Sequence, residues 1–134
     1  MTARAPFELF GFGVPWEETA NYSQALRAGN LLFVSGQLSH DMEGNFVGEG
    51  DFGLQVDTSF ANLDRILERF GASRGDIAEL DVFIVDLRTH FEAAGAAYRR
   101  YFGAHRPAAN TIGVADLALP PQLIEIAATV VLPG

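Results

Sequence analysis

The sequence contains no cysteine. Disulfide cross-links, thiolate nucleophiles and cysteine-ligated zinc are therefore excluded. No apolar run approaches the roughly 20 residues of a membrane-spanning helix. The opening MTARAPFELFGFG lacks a long apolar core behind a basic end and does not read as a secretory signal. Basic residues are scarce, nine against 17 acidic, for a formal net charge of −8. So few cations can displace little counterion from phosphates or anionic lipids, so neither nucleic acid nor a membrane surface is expected as a partner. The three histidines, His40, His90 and His105, lack ligand spacing. Surface roles suffice for them, and no metal site is expected. Linkers, repeats and low-complexity segments are also missing. A single domain spanning residues 1–134 is expected, with a cytoplasmic location.

What is present is apolar residue, 49% of the chain. A domain this small has a poor surface-to-volume ratio, so part of that surface is expected in a subunit interface. Residues 1–21 read as an irregular N-terminal arm, rich in Gly, Pro and aromatics, with room for a short strand and with Trp16 as a packing residue. Tyr22–Leu26 and Leu31–Gln37 flank Ala28-Gly29-Asn30 and predict a β-hairpin. Strict alternation in the second strand puts Leu31, Phe33 and Ser35 on one face and Leu32, Val34 and Gly36 on the other. A glycine there signals either a bulge or a close approach by another group.

Asp51 can cap a helix running to Phe70, with Val56, Phe60, Leu63, Leu67 and Phe70 as its buried stripe. Gly71 then provides a left-handed C-terminal cap. Leu80–Val85 reads as a strand. Thr89 and Glu92 form a capping box for a second helix ending near Phe102, with Phe91, Ala94, Tyr98 and Phe102 on one face. Asn110–Val114 and Leu123–Leu132 are the last strands. In the final one Ile124, Ile126, Ala128 and Val130 share a face, leaving the carboxylate of Glu125 on the other. The order β-β-α-β-α-β-β predicts an α/β (α+β) fold, a mixed sheet with both helices on one face and the other face needing a partner.

Several short motifs occur in order: Tyr22-Ser23-Gln24, Leu32-Phe33-Val34-Ser35-Gly36-Gln37, Gln55, Asn62-Leu63, Gly71-Ala72-Ser73, Tyr98, Phe102, Pro107-Ala108 and Ile124-Glu125-Ile126. Together they resemble the RidA/YjgF family from Tyr22 to the end of the chain. The resemblance implies a chorismate-mutase-like fold assembled as a homotrimer, with small-metabolite clefts between subunits. It implies hydrolysis of imines or enamines released by amino-acid-metabolising enzymes to a keto acid and ammonia, with no metal or organic cofactor. Glu125 falls where the deaminases have a glutamate near the attacking water, and a carboxylate in an apolar cleft suits that task. Tyr22 falls at a cleft tyrosine, and Gly36 and Thr111 fall on strands that line the cleft.

One departure stands out. Where the deaminases have a Pro-Ala-Arg-Ser motif, whose arginine grips a substrate carboxylate, this chain has Pro107-Ala108-Ala109-Asn110. A methyl group at Ala109 cannot counter a carboxylate, a loss of several kcal/mol in a desolvated site. Gly95 stands where some members have asparagine, and the stretch Asp116–Pro121 is one residue longer, so a wider and less basic pocket is expected. Arg106 precedes Pro107 on an expected surface loop, which argues against it as the replacement. Ser35, Ser39 and His40 lack an activating carboxylate, so no hydrolase triad is credited. Gly11-Phe12-Gly13 lacks the strand–helix context of a nucleotide loop. Deamination with an altered substrate range is the favoured reading; a non-catalytic metabolite-binding module is the alternative. The family's older association with RNA cleavage fits poorly with the acidic balance.

Overall fold

A computed structural model describes residues 7–134. Asp51 caps helix α2 (Phe52–Arg69), its carboxylate accepting from Leu54 N at 3.0 Å. At the other end Gly71 turns left-handed (φ +70°), and Ala72 N and Gly71 N close on Leu67 O and Glu68 O, the double bond that satisfies orphaned carbonyls. The predicted apolar stripe is buried at Val56, Phe60, Leu63 and Leu67, while Phe70 packs at its margin.

The hairpin forms as β2 (Ala25–Ala28) and β3 (Leu31–Gln37), with Ala28 opposite Leu31 and Gly29 at φ +63°. The short strand allowed for in the irregular arm forms, and a helix forms beside it. The arm holds β1 (Glu8–Phe10) and a one-turn helix α1 (Pro15–Thr19), with proline at its start; residues 1–6 lie outside the described part. Glu17 fixes this segment by accepting from Phe12 N, Gly13 N and Gln24 Nε2 at 2.9–3.1 Å.

β4 spans Ile77–Val85, longer than expected because the 3₁₀ turn Arg74–Asp76 feeds it directly. Helix α3 (Leu87–Phe102) begins three residues earlier than the predicted capping box allows, with Asp86 rather than Thr89 as its N-cap. Asp86, left-handed at φ +58°, turns the chain straight from β4 into the helix. Thr89 therefore sits inside the first turn, donating its backbone N–H to Asp86 O, and caps nothing. Ala94, Ala97 and Tyr101 are the buried face of α3, and Phe91, expected to share a face with Ala94, is 60% exposed.

With β5 (Ala108–Val114) and β6 (Ile124–Val131), the sheet order is β1-β2-β3-β6-β4-β5, antiparallel throughout except for parallel β4–β5. Ile124, Ile126 and Val130 are fully buried beneath α2 and α3, each such side chain stabilising the fold by roughly 1.5–3 kcal/mol. The opposite face stays open. There Leu9, Leu26, Phe33 and Thr129 form one cross-strand row, with Leu9 59% and Phe33 45% exposed.

Candidate functional site

Glu125 stands on the open face because its neighbours Ile124 and Ile126 take the buried one. Opposite it, β3 bulges between Val34 and Gln37. The extra residue reverses the expected alternation: Gln37 turns into the core, fully buried, and Gly36 faces outward with Glu125. A Cβ at Gly36 would lie 2.5 Å from Glu125 Cγ and Oε2. Bulge and close approach are thus both real, and the approaching group is the chain's own carboxylate. Gln122, buried, holds the turn before β6 through Leu119 N and Ile124 O and points its amide at Glu125 Oε1, 3.4 Å away.

That turn is fixed by another glutamine. Gln55 of α2 is fully buried and donates to Gly48 O (2.9 Å) and Pro121 O (3.0 Å), while accepting from Leu123 N (2.8 Å). Every polar atom of its side chain is satisfied, so the core helix sets where β6, and with it Glu125, begins.

Tyr22 follows the left-handed Asn21 and is half-buried. Burial raises its phenol above the ordinary value, and the negative charges of Glu17 and Glu125 act in the same direction, against a hydrogen bond from Gln24 Nε2 at 3.3 Å. The phenol therefore keeps its proton at neutral pH and can donate it. Beside Tyr22 is an open hollow of about 690 Å³ lined also by Glu17, Ser23, Phe33 and Ser35. Gln24 links this group to the core, accepting from Gln37 Nε2 at 2.9 Å.

Ala109 and Thr111 lie elsewhere. In β5 Ala109 pairs with Leu80 and Thr111 with Val82, both core-facing rows, so these two side chains point to the helix side of the outermost strand. Thr111 Oγ1 is 3.4 Å from Tyr98 Oη on α3. The candidate residues thus form two groups on opposite sides of one sheet: Tyr22, Gly36 and Glu125 on the open face, Ala109 and Thr111 behind β5. Arg106 is exposed on the loop before β5.

The histidines are not surface residues in the simple sense expected. His40 is buried edge-on against Phe12 and Trp16, with Nδ1 2.7 Å from Asp41 O. His90 stacks on Phe52 at 4.1 Å, and His105 Nε2 is 2.8 Å from Ile77 O. Aromatic neighbours in an otherwise irregular segment absorb His40, a contact that spacing along the chain does not reveal. Among the described residues no group of three or more His, Asp or Glu is placed to hold a metal ion, and no helix is long and apolar enough to cross a membrane. All nine basic residues are arginine. Without lysine no side-chain amine is present to form a Schiff base with a carbonyl or imine carbon.

The Endoribonuclease L-PSP family profile matches residues 15–132. The chain belongs to this family, also called RidA/YjgF. Among its relatives, Protein MMF1, mitochondrial, of Saccharomyces cerevisiae is 33% identical over 78% of this chain and 70% of its own length. A Dermatophagoides farinae protein named 2-iminobutanoate/2-iminopropanoate deaminase is 30% identical over 72% of this chain and 74% of its own. A Thermotoga maritima crystal structure superposes with a TM-score of 0.82 at 34% identity, covering 99% of this chain and 100% of that one. The mixed α+β sheet fold of RidA/YjgF proteins is therefore shared. A mitochondrial relative also means that family membership fixes no compartment.

Proposed function

We propose that this RidA/YjgF protein hydrolyses the C=N bond of a small imine or enamine metabolite. The observation that carries the reading is the Glu125 carboxylate on the open sheet face, seated against side-chain-free Gly36, with the protonated Tyr22 phenol on the same face. Glu125 takes a proton from water as its oxygen adds to the imine carbon; the nitrogen gains a proton. The resulting carbinolamine collapses to a carbonyl and releases ammonia, so one water is consumed and no cofactor is needed. That a family relative is named a deaminase supports the reaction class.

The division of the candidate residues supports an inter-subunit cleft. If β5 of one copy docks beside the open face of another, Ala109 and Thr111 meet Glu125, Gly36 and Tyr22, and the exposed row of Leu9 and Phe33 is covered. A homotrimer provides three such junctions. Because Ala109 offers no cation, substrates differ from short 2-imino acids. Hydrolysis of 2-iminobutanoate should be slow in the native protein and rise by about tenfold or more in Ala109→Arg. Fast native turnover would mean another residue already holds the carboxylate at that position.

A second reading is favoured by the same Ala109: the cleft carries or senses a metabolite without consuming it. A ligand that raises the melting temperature and is recovered unchanged would favour this alternative.

A further inference from the structure

An unassigned hollow lies behind the sheet, where the end of β5 meets the first turn of α3. It measures about 780 Å³ and is lined by Leu87, Phe91, Gly113 and Val114, with Asp86 and Arg88, a size in the range of small-molecule sites. Its strand wall has no side chain at Gly113; a Cβ there would come within 3.2 Å of Leu87 Cβ. Phe91 stands 60% exposed into this space. Arg27, Arg69, Arg74 and Arg100 each form a carboxylate pair. Arg88, like Arg65, Arg99 and Arg106, forms neither an ion pair nor a side-chain hydrogen bond among the described residues, and of these four it is the one that lines this hollow. An unpaired guanidinium beside an exposed phenyl ring and a leucine matches one chemistry: a single carboxylate carried on an apolar body.

We propose that Arg88 anchors the substrate carboxylate, with Leu87 and Phe91 covering the apolar body. This inference rests on the deaminase reading of Glu125 and assigns the cation that Ala109 lacks. Gly113 lies four residues beyond Ala109, about 13 Å along an extended strand. The substrate class is therefore an imine or enamine whose carboxylate is separated from the C=N carbon by an apolar chain or ring. Asp86 shares the hollow, and its charge opposes the bound anion without pairing with Arg88.

Isothermal titration of the intact protein with 4-phenylbutanoate, and with uncharged 4-phenylbutanamide, tests this. The carboxylate binds the native protein; Arg88→Gln weakens it by about tenfold or more. Asp86→Asn, which keeps a residue tolerant of the left-handed turn, strengthens it. The amide binds native protein and Arg88→Gln alike. Arg99 on the same helix lies against Gly95, its Nη1 3.6 Å from the Cβ position there, outside this hollow; Arg99→Gln changes nothing. Absence of 4-phenylbutanoate binding, equal affinity in native and Arg88→Gln, or loss in Arg99→Gln overturns the proposal. Glu125→Gln separates it from the reading it rests on. Carboxylate binding that needs Arg88, without any Glu125-dependent turnover, sinks only the deaminase reading. Glu125-dependent turnover with Arg88 irrelevant to binding sinks only the anchor.

Discussion

At Gly36 a single hydrogen leaves room for the Glu125 carboxylate. Any Cβ at that position overlaps Glu125 Cγ and Oε2 at 2.5 Å, against a normal carbon contact near 3.5 Å or more. The smallest change, Gly36→Ala, must swing Glu125 out of place. It is expected to cost about 1–3 kcal/mol of stability, as overpacking does. Turnover should fall further than that loss explains, measured as kcat on protein shown to be folded by thermal melting. Unchanged kcat would mean that the seat of Glu125 does not matter. Tyr22 acts at the same scale. Its folded value lies above the ordinary 10.0, so the folded state holds the proton more tightly than the unfolded chain does. The corresponding stability is fully present below pH 10 and is lost as pH rises through the folded value. Glu125 was legible in the sequence, because strict alternation of Ile124, Glu125 and Ile126 sends the carboxylate away from the core. The face of Gly36 was not: the bulge that turns it arises from pairing β3 with β6, strands about ninety residues apart in sequence. Gln122 carried no local signal either, since its role comes from the turn that Gln55 pins.

Elements with a strong period were readable from the chain alone. α2 announced itself by its apolar stripe, its Asp51 cap and Gly71, and the hairpin by Gly29-Asn30. The start of α3 was misread because a left-handed Asp86 replaces a loop, a conformation that no capping pattern encodes. α1 was missed because five residues give no period, and its anchor, Glu17, works through backbone N–H groups and Gln24. The open sheet face is the element whose role is most testable. Its exposed row centres on Phe33, a large side chain that a folded monomer leaves 45% accessible. Phe33→Glu places a charge in the proposed interface without touching the core. Sedimentation velocity should show a trimer for the native chain and a monomer for this variant. An unaltered mass would remove the sheet face from the interface.

For the whole molecule, the decisive geometric fact is that the candidate residues do not converge within one chain. The sheet stands between Glu125, in a row with Phe83 and Ile112, and Ala109, in a row with Leu80 and Ala128. Family membership follows from a profile covering residues 15–132, and the proposed chemistry requires copies of this chain to assemble. The most direct measurement is ammonia release from a panel of imines generated in situ, short 2-imino acids beside longer carboxylates with apolar bodies, comparing the native protein with Glu125→Gln. Release above the uncatalysed rate is expected for at least one long apolar member, falling by about 10²-fold or more in Glu125→Gln with folding intact. No release from any member, or equal rates for the two proteins, would contradict the deaminase reading.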